Sequence, residues 1–207
     1  SRGLGDVYKR QDDYRAGELN SDAAWGLVCD GMGGVAGGSI ASSVAVETYI
    51  RTLSDSDHPD QAVHAAVMAA NSAIRQRAAG HPELRSMGTT LVSALVKGDR
   101  VLISNVGDSR AYLAGAQGLR QISRDHSLVE DMVEKGDLTP GQARSHPRRN
   151  LITRALGPDP AVEADDFAIQ WKAGDFLLLC SDGLVNTVTD QEIMFEILHN
   201  GQPEDCL

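Results

Sequence analysis

Only three cysteines, Cys29, Cys180 and Cys206, occur in 207 residues. They are too few and too irregularly spaced for the disulfide framework of a secreted domain or for a structural zinc site, so a reducing, cytoplasmic setting is expected. Long apolar runs are missing as well. Phe176-Leu-Leu-Leu-Cys180 falls far short of the ~20 residues a membrane-spanning helix needs, and a soluble chain with no membrane partner is expected. Residues 1–10 have neither the apolar stretch of a signal peptide nor an amphipathic repeat, and they read as a non-native or disordered leader. Basic charge is also scarce: 19 Lys and Arg against 29 Asp and Glu leave a net charge of −10. That sign excludes a general nucleic-acid binder.

What remains is 42% hydrophobic and 23% charged, the composition of one packed domain. Within the acidic set, 20 Asp outnumber 9 Glu, a skew toward the residue that favours turns, caps and metal sites.

Trp25-Gly-Leu-Val-Cys29 reads as a buried strand that stops at Asp30 and a run of glycines. A helix is expected from Ser39 to about Arg51. A second begins near Pro59, with Val63, Ala66, Val67, Ala70 and Ile74 at helical spacing, and ends at Gly80 and Pro82. Thr89–Val96 and Arg100–Val106 form a hairpin around Lys97-Gly98-Asp99, and the segments onward to Ser123 read as an antiparallel meander. His126–Lys135 looks helical. Residues 136–150, polar and carrying Pro140 and Pro147, form a surface flap. Leu151–Leu156, Phe167–Trp171 and Phe176–Ser181 are further strand candidates, and Thr189-Asp-Gln-Glu192 resembles a capping box opening a helix to Leu198.

There is no repeat and no linker. Helices segregated from runs of strands predict an α+β fold of antiparallel sheets covered by helices, with residues 11–207 as a single domain. The chain stops at Leu207, after a Gly-Gln-Pro break and without a closing strand, so C-terminal truncation is expected.

The chemistry concentrates at two aspartates. Asp30 is followed by five glycines in the eight positions 31–38, and Asp182 again ends an apolar strand at a glycine. Two carboxylates on apolar strand ends repel each other and resist desolvation unless a cation neutralises them. Oxygen ligands without a His or Cys cluster indicate a hard ion, magnesium or manganese. Each Asp-Gly alone would read as a turn. A phosphate-cradling loop is the competing reading of the glycines, but neither the G-x-x-x-x-G-K-[ST] lysine nor a G-x-G-x-x-G fingerprint is present. A cysteine-based phosphatase would need a thiolate followed by an arginine a few residues on. Cys29 and Cys180 are instead followed by aspartate and glycine, and both read as strand packing.

In order along the chain stand Asp30-Gly-Met-Gly-Gly34, Gly38-Ser-Ile-Ala-Ser42, Gly88-Thr-Thr90, Gly107-Asp-Ser-Arg110, Asp125-His-Ser127 and Ser181-Asp-Gly-Leu184. This set resembles the protein phosphatase 2C family of metal-dependent serine/threonine phosphatases in its bacterial form, from about Gln11 to Leu198. The resemblance implies a β-sandwich flanked by helices on both faces, with metals at one end, and hydrolysis of phosphoserine and phosphothreonine in proteins. It further implies Asp30 as the metal-bridging aspartate, Gly31 as a carbonyl ligand and Asp182 as the second major ligand. Asp12 would contact metal through water, and Asp125 would help hold a third, weaker ion. Asp30 and Asp182 are then the catalytic pair, serving two Mn2+ or Mg2+ ions that activate a water nucleophile.

The chain departs from the pattern at Val35, where the family has His, at Ser39, where it has Glu, and at Val7, where it has a phosphate-binding arginine. The family's closing Gly-Gly-x-Asp-Asn segment would lie beyond Leu207. The expected partners are phosphoproteins and a serine/threonine kinase, and the chain is expected to be a monomer. The rival reading is a catalytically impaired module that binds phosphoproteins or a kinase. His126 could protonate the leaving alkoxide or cap a helix. Asp108 and Arg110 fit a turn with an internal ion pair better than a site, and Arg148, Arg149 and Arg154 could bind a phosphopeptide or form a solvated patch.

Overall fold

The computed structural model describes residues 11–20 and 22–199. The expectations for residues 1–10, the departure at Val7, Cys206 and the chain end lie outside the described residues.

In chain order the elements are β1 (Asp13–Asn20), β2 (Ala23–Cys29), β3 (Gly31–Met32), α1 (Gly34–Ser54), α2 (Pro59–Ala78), β4 (Gly88–Thr89), β5 (Leu91–Lys97), β6 (Arg100–Val106), β7 (Arg110–Gly115) and β8 (Gly118–Gln121). They continue with α3 (Leu128–Glu134), α4 (Pro140–Arg144), β9 (Asp165–Gln170), β10 (Phe176–Cys180), α5 (Asp182–Val185) and α6 (Asp190–His199). One sheet runs β1-β2-β5-β6-β9 and a second β10-β7-β8, with every pairing antiparallel. The two sheets pack face to face through β10 on β2 and β5.

Strand alternation builds two cores. On β5, Leu91 and Leu95 join the core shared with α1 and α2, while Val92 and Ala94 join the core between the sheets. Ser93 also faces α1, where it accepts a hydrogen bond from the buried Tyr49 hydroxyl at 2.9 Å. The helical positions expected on α2 (Val63, Ala66, Val67, Ala70 and Ile74) are all buried against this sheet. The Val and Ile side chains each contribute about 1.5–3 kcal/mol over exposure, and the alanines less. On the far side, α6 packs on β8, and its expected capping box forms, with Thr189 and Glu192 bonding each other's backbone N–H. The α+β sandwich with helices on both faces is thus observed.

Three expectations are corrected. The first helix begins at Gly34 rather than Ser39. Gly37 and Gly38 belong to the helix because it docks closely: a Cβ on Gly38 would sit 2.7 Å from the Gly31 carbonyl oxygen, and one on Gly31 would sit 2.2 Å from that of Gly38. The glycines serve approach as well as looping.

The meander is split. β6 pairs with β5 and β9, whereas β7 pairs with β8 and β10, because Gly107-Asp108-Ser109 carries the chain from one sheet to the other. Gly107 has φ +106°, a conformation costly for residues with a side chain. Leu151–Leu156 makes only single bridges, Ile152 to Ser127 and Leu156 to Thr89. Its Leu156 is fully buried in the core shared with α1 and α2 although the segment forms no continuous strand.

Candidate metal and phosphate site

Both sheets end their acid-bearing strands at the same edge of the sandwich. β2 delivers Asp30, and the first residue of α5, just after β10, is Asp182. Backbone bonds fix the first of these: Thr90 N–H donates to the Asp30 carbonyl at 2.9 Å, and Asp30 N–H donates to Thr90 Oγ1 at 3.0 Å. Gly31 N–H donates to the Gln11 carbonyl, which brings Asp12 alongside. Asp12 accepts a hydrogen bond from Ser181 Oγ at 3.0 Å, tying the start of the chain to the Asp182 turn. Asp182 accepts from Asn186 Nδ2 at 3.0 Å.

The structure therefore brings Asp12, Asp30 and Asp182 together across 170 residues of sequence (182 − 12). Burial first, then the charge and hydrogen-bond contact of Asp12, then those of Asp182, push the Asp30 carboxyl up to about 8. Like charges this close cannot all ionise without a counter-charge.

Asp125 is engaged by partners within the chain. Both its oxygens are occupied: Arg110 donates through Nε and Nη2 at 2.6–3.0 Å and Gln121 Nε2 at 2.9 Å. Burial opposes the Arg110 charge, but the hydrogen bond and charge of Asp125 outweigh it and hold the guanidinium firmly protonated. Arg110 is thus the internal ion-pair partner expected of that motif, and its acid is Asp125. Asp108 is left free to face the acidic cluster; burial, then Asp182, then Asp125 raise its carboxyl to about 6. It is the acid that sequence reasoning missed. The signal was there, because Asp108, like Asp30 and Asp182, follows the break of an apolar strand beside a glycine.

Removing one member of the buried Arg110–Asp125 pair strands the other in a site where Asp125 is 10% exposed. Asp125→Ala is expected to cost about 3–5 kcal/mol of stability. Urea unfolding of the metal-free chain checks this, because an Asp125 that served only as a metal ligand would leave metal-free stability intact.

His126 is a structural residue. Its ring is almost wholly buried, Nδ1 accepts from Gly107 N–H at 3.1 Å and Nε2 lies 3.2 Å from Asp165. The proton consequently sits on Nε2, and burial holds the ring below its ordinary pKa despite Asp165. Arg154 is also engaged, pairing with Asp165 at 2.9 Å. Cys29 and Cys180 are buried free thiols. Burial, then Asp13 and Asp30, push Cys29 far up, and burial raises Cys180 to about 11. Neither is a thiolate nucleophile.

Among the described residues no three His, Cys, Asp or Glu side chains form a ready-made metal cage, and none of Asp12, Asp30, Asp108 or Asp182 is in an ion pair. Oxygen donors that converge and carry no cationic partner suit hard divalent ions. The donor set fits such ions. Beside it opens a cleft of about 620 Å3 whose lining includes Asp108, Asp125 and Asp182 together with Ala143, Arg144 and Arg149 from residues 136–150.

A family model described as protein phosphatase 2C matches residues 6–202. A serine/threonine phosphatase stp of Listeria monocytogenes is 42% identical over 182 residues, covering 83% of this chain and 70% of that protein. The crystal structure of the Mycobacterium tuberculosis serine/threonine phosphatase PstP/Ppp superimposes with a TM-score of 0.85 at 38% identity, covering all of this chain and 84% of that one. The catalytic domain of PstP in complex with two manganese ions superimposes at 0.81 with 35% identity and the same coverage. With its sandwich, its acidic strand ends and these relatives, the chain belongs to the protein phosphatase 2C family and is an enzyme of the serine/threonine phosphatase class.

Proposed function

We propose that this phosphatase removes phosphate from phosphoserine and phosphothreonine in proteins at the cluster of Asp12, Asp30 and Asp182. The observation that carries this reading is the convergence of Asp12 and Asp182 on a half-buried Asp30 whose carboxyl is raised to about 8. Asp30, Asp182 and the Gly31 carbonyl would hold two divalent cations, Mn2+ or Mg2+, with Asp12 acting through water. A third ion belongs at Asp108 and Asp182 rather than at Asp125, whose oxygens Arg110 and Gln121 occupy.

Bound there, such ions supply a nucleophilic water near neutral pH and neutralise charge on the phosphoryl oxygens. The chain's own part is to orient. Ser181 and Asn186 fix the Asp12 and Asp182 carboxylates, Thr89 and Thr90 fix the Asp30 peptide, and the buried Arg110–Asp125 pair supports the adjoining turn. No side-chain nucleophile is required.

The retained carboxylates favour turnover over the binding-module reading, since clustered unpaired acids cost stability and serve no packing role. Hydrolysis of a phosphothreonine peptide that requires added manganese and stops with EDTA tests the reading; turnover unchanged by EDTA would reject it. The chain is further proposed to act in the cytoplasm as a monomer, opposite a serine/threonine kinase. Among the described residues no helix is long and apolar enough to cross a membrane.

The flap, residues 136–150, is ordered around α4 by a Thr139–Gln142 capping box. Arg144 and Arg149 line the cleft, and neither is in an ion pair among the described residues. They are placed to meet the acidic surroundings of a phosphorylated residue. Replacing both with alanine is expected to lower kcat/KM about tenfold more on an acidic phosphopeptide than on a small aryl phosphate, the worth of one charge-assisted hydrogen bond. Equal losses on the two substrates would refute this.

A further inference from the structure

Two of the acids, Asp30 and Asp108, stand on backbone segments from different parts of the sandwich. Cys29-Asp30-Gly31 ends β2, and Gly107-Asp108-Ser109 crosses from the first sheet to the second. One side chain touches both. Thr90 Oγ1 accepts the Asp30 N–H at 3.0 Å and lies 2.7 Å from Ser109 Oγ. Thr90 is 1% exposed and Ser109 0%, so no water substitutes for either partner. The methyl of Thr90 is used too: a Cβ placed on Gly107 would stand 2.6 Å from Thr90 Cγ2, showing how closely that turn rests on it.

The crossing turn is clamped from its other side by His126, whose backbone N–H donates to the Gly107 carbonyl at 2.9 Å while its Nδ1 accepts the Gly107 N–H. Asn105 Nδ2 adds a longer bond to the Gly107 carbonyl at 3.3 Å. The turn bearing Asp108 is held as one piece, and its link to the peptide bearing Asp30 runs through Thr90.

We propose that Thr90, with Ser109, is the positioning pair that sets the placement of Asp30 relative to Asp108 and so the affinity of the cluster for its divalent ions. This inference rests on the metal reading above. The chemistry calls for both branches of threonine. Valine keeps the methyl contact but leaves the Asp30 N–H and the Ser109 hydroxyl unpartnered. Serine keeps the hydroxyl and loses only packing against Gly107. Partners that orient metal ligands typically govern affinity by 10–100-fold without touching the ion.

The test is calorimetric titration of the full-length protein with Mn2+, without substrate. Thr90→Val is expected to weaken Mn2+ binding about 10–100-fold, and Thr90→Ser to stay within about threefold of the parent, the rescue that mere packing would not produce. Ser109→Ala, which leaves the Asp30 N–H partnered, is expected to weaken the later-binding ion while sparing the first. Ser93→Ala removes a buried hydroxyl contact of similar kind with Tyr49, away from the cluster, and is expected to lower the melting temperature with Mn2+ affinity unchanged. Parent-like Mn2+ affinity in Thr90→Val and in Ser109→Ala would overturn the proposal, as would an equal loss in Ser93→Ala. A parent chain that takes up no manganese would overturn the metal reading itself.

Discussion

Asparagine in place of Asp30 is expected to cut phosphatase turnover about a thousandfold, at the upper end of what losing one electrostatic contributor costs, and to make the metal-free chain more stable. The two effects have one cause. Asp30 is half-buried, in hydrogen-bonding contact with Asp12 and Asp182, and its carboxyl is raised to about 8. An ionised Asp30 without a counter-charge is therefore a liability to the fold, and a neutral amide of the same shape relieves it. Because the group is partly exposed, solvent screens much of the repulsion, and a gain near 1 kcal/mol, or about 2–4 °C in Tm, is expected for a chain of this size. Differential scanning calorimetry in EDTA measures the gain, and phosphopeptide turnover in manganese measures the loss. A variant that is both inactive and less stable when metal-free would show that Asp30 is a packing residue.

Metal affinity should fall steeply with acid. A folded-state pKa raised from 3.8 to about 8 means that this group's contribution to metal-free stability is complete below about pH 4 and is lost as pH rises through about 8. Ion binding needs the opposite protonation state, so each unit below pH 8 costs about tenfold in apparent affinity as the cation displaces a proton. Magnesium should bind about a hundredfold more weakly at pH 6 than at pH 8. Asp108, raised to about 6, steepens the fall at the acid end. Titrations in buffers of differing ionisation enthalpy should count about one proton released per cluster near pH 7. Affinity that stays flat from pH 6 to pH 8 would contradict the carboxylate cluster described above.

Much of this architecture could be read from residues alone, where one physical signal dominates. The five-position apolar stripe of α2 has a single burial solution, and the two β-rich runs around Gly98 admit little except the β5–β6 hairpin. Asp30 and Asp182 stood out because apolar strands do not end in carboxylates without a reason.

The misses occurred where two signals share one residue type. Glycine marks both loops and close approach, so Gly37 and Gly38 read as loop although they lie inside α1, Gly37 against Met87 and Gly38 against Gly31. Asp108 and Asp125 flank one arginine, and sequence order cannot say which of them Arg110 takes. Geometry decides for Asp125 with a two-pronged contact, and Asp108 joins the cluster. The break between β6 and β7 was visible, but not that the chain changes sheets there, because a turn within a sheet and a crossing between sheets use the same Gly-Asp-Ser.

The sealed thiols have a consequence for life under oxidative stress. Enzymes that attack through a thiolate are silenced when peroxide converts it to a sulfenic acid. Here Cys29 and Cys180 are packed away and protonated. Neither of these two gives peroxide a foothold, so turnover that depends on the carboxylate cluster is expected to outlast a peroxide treatment that stops a thiolate enzyme.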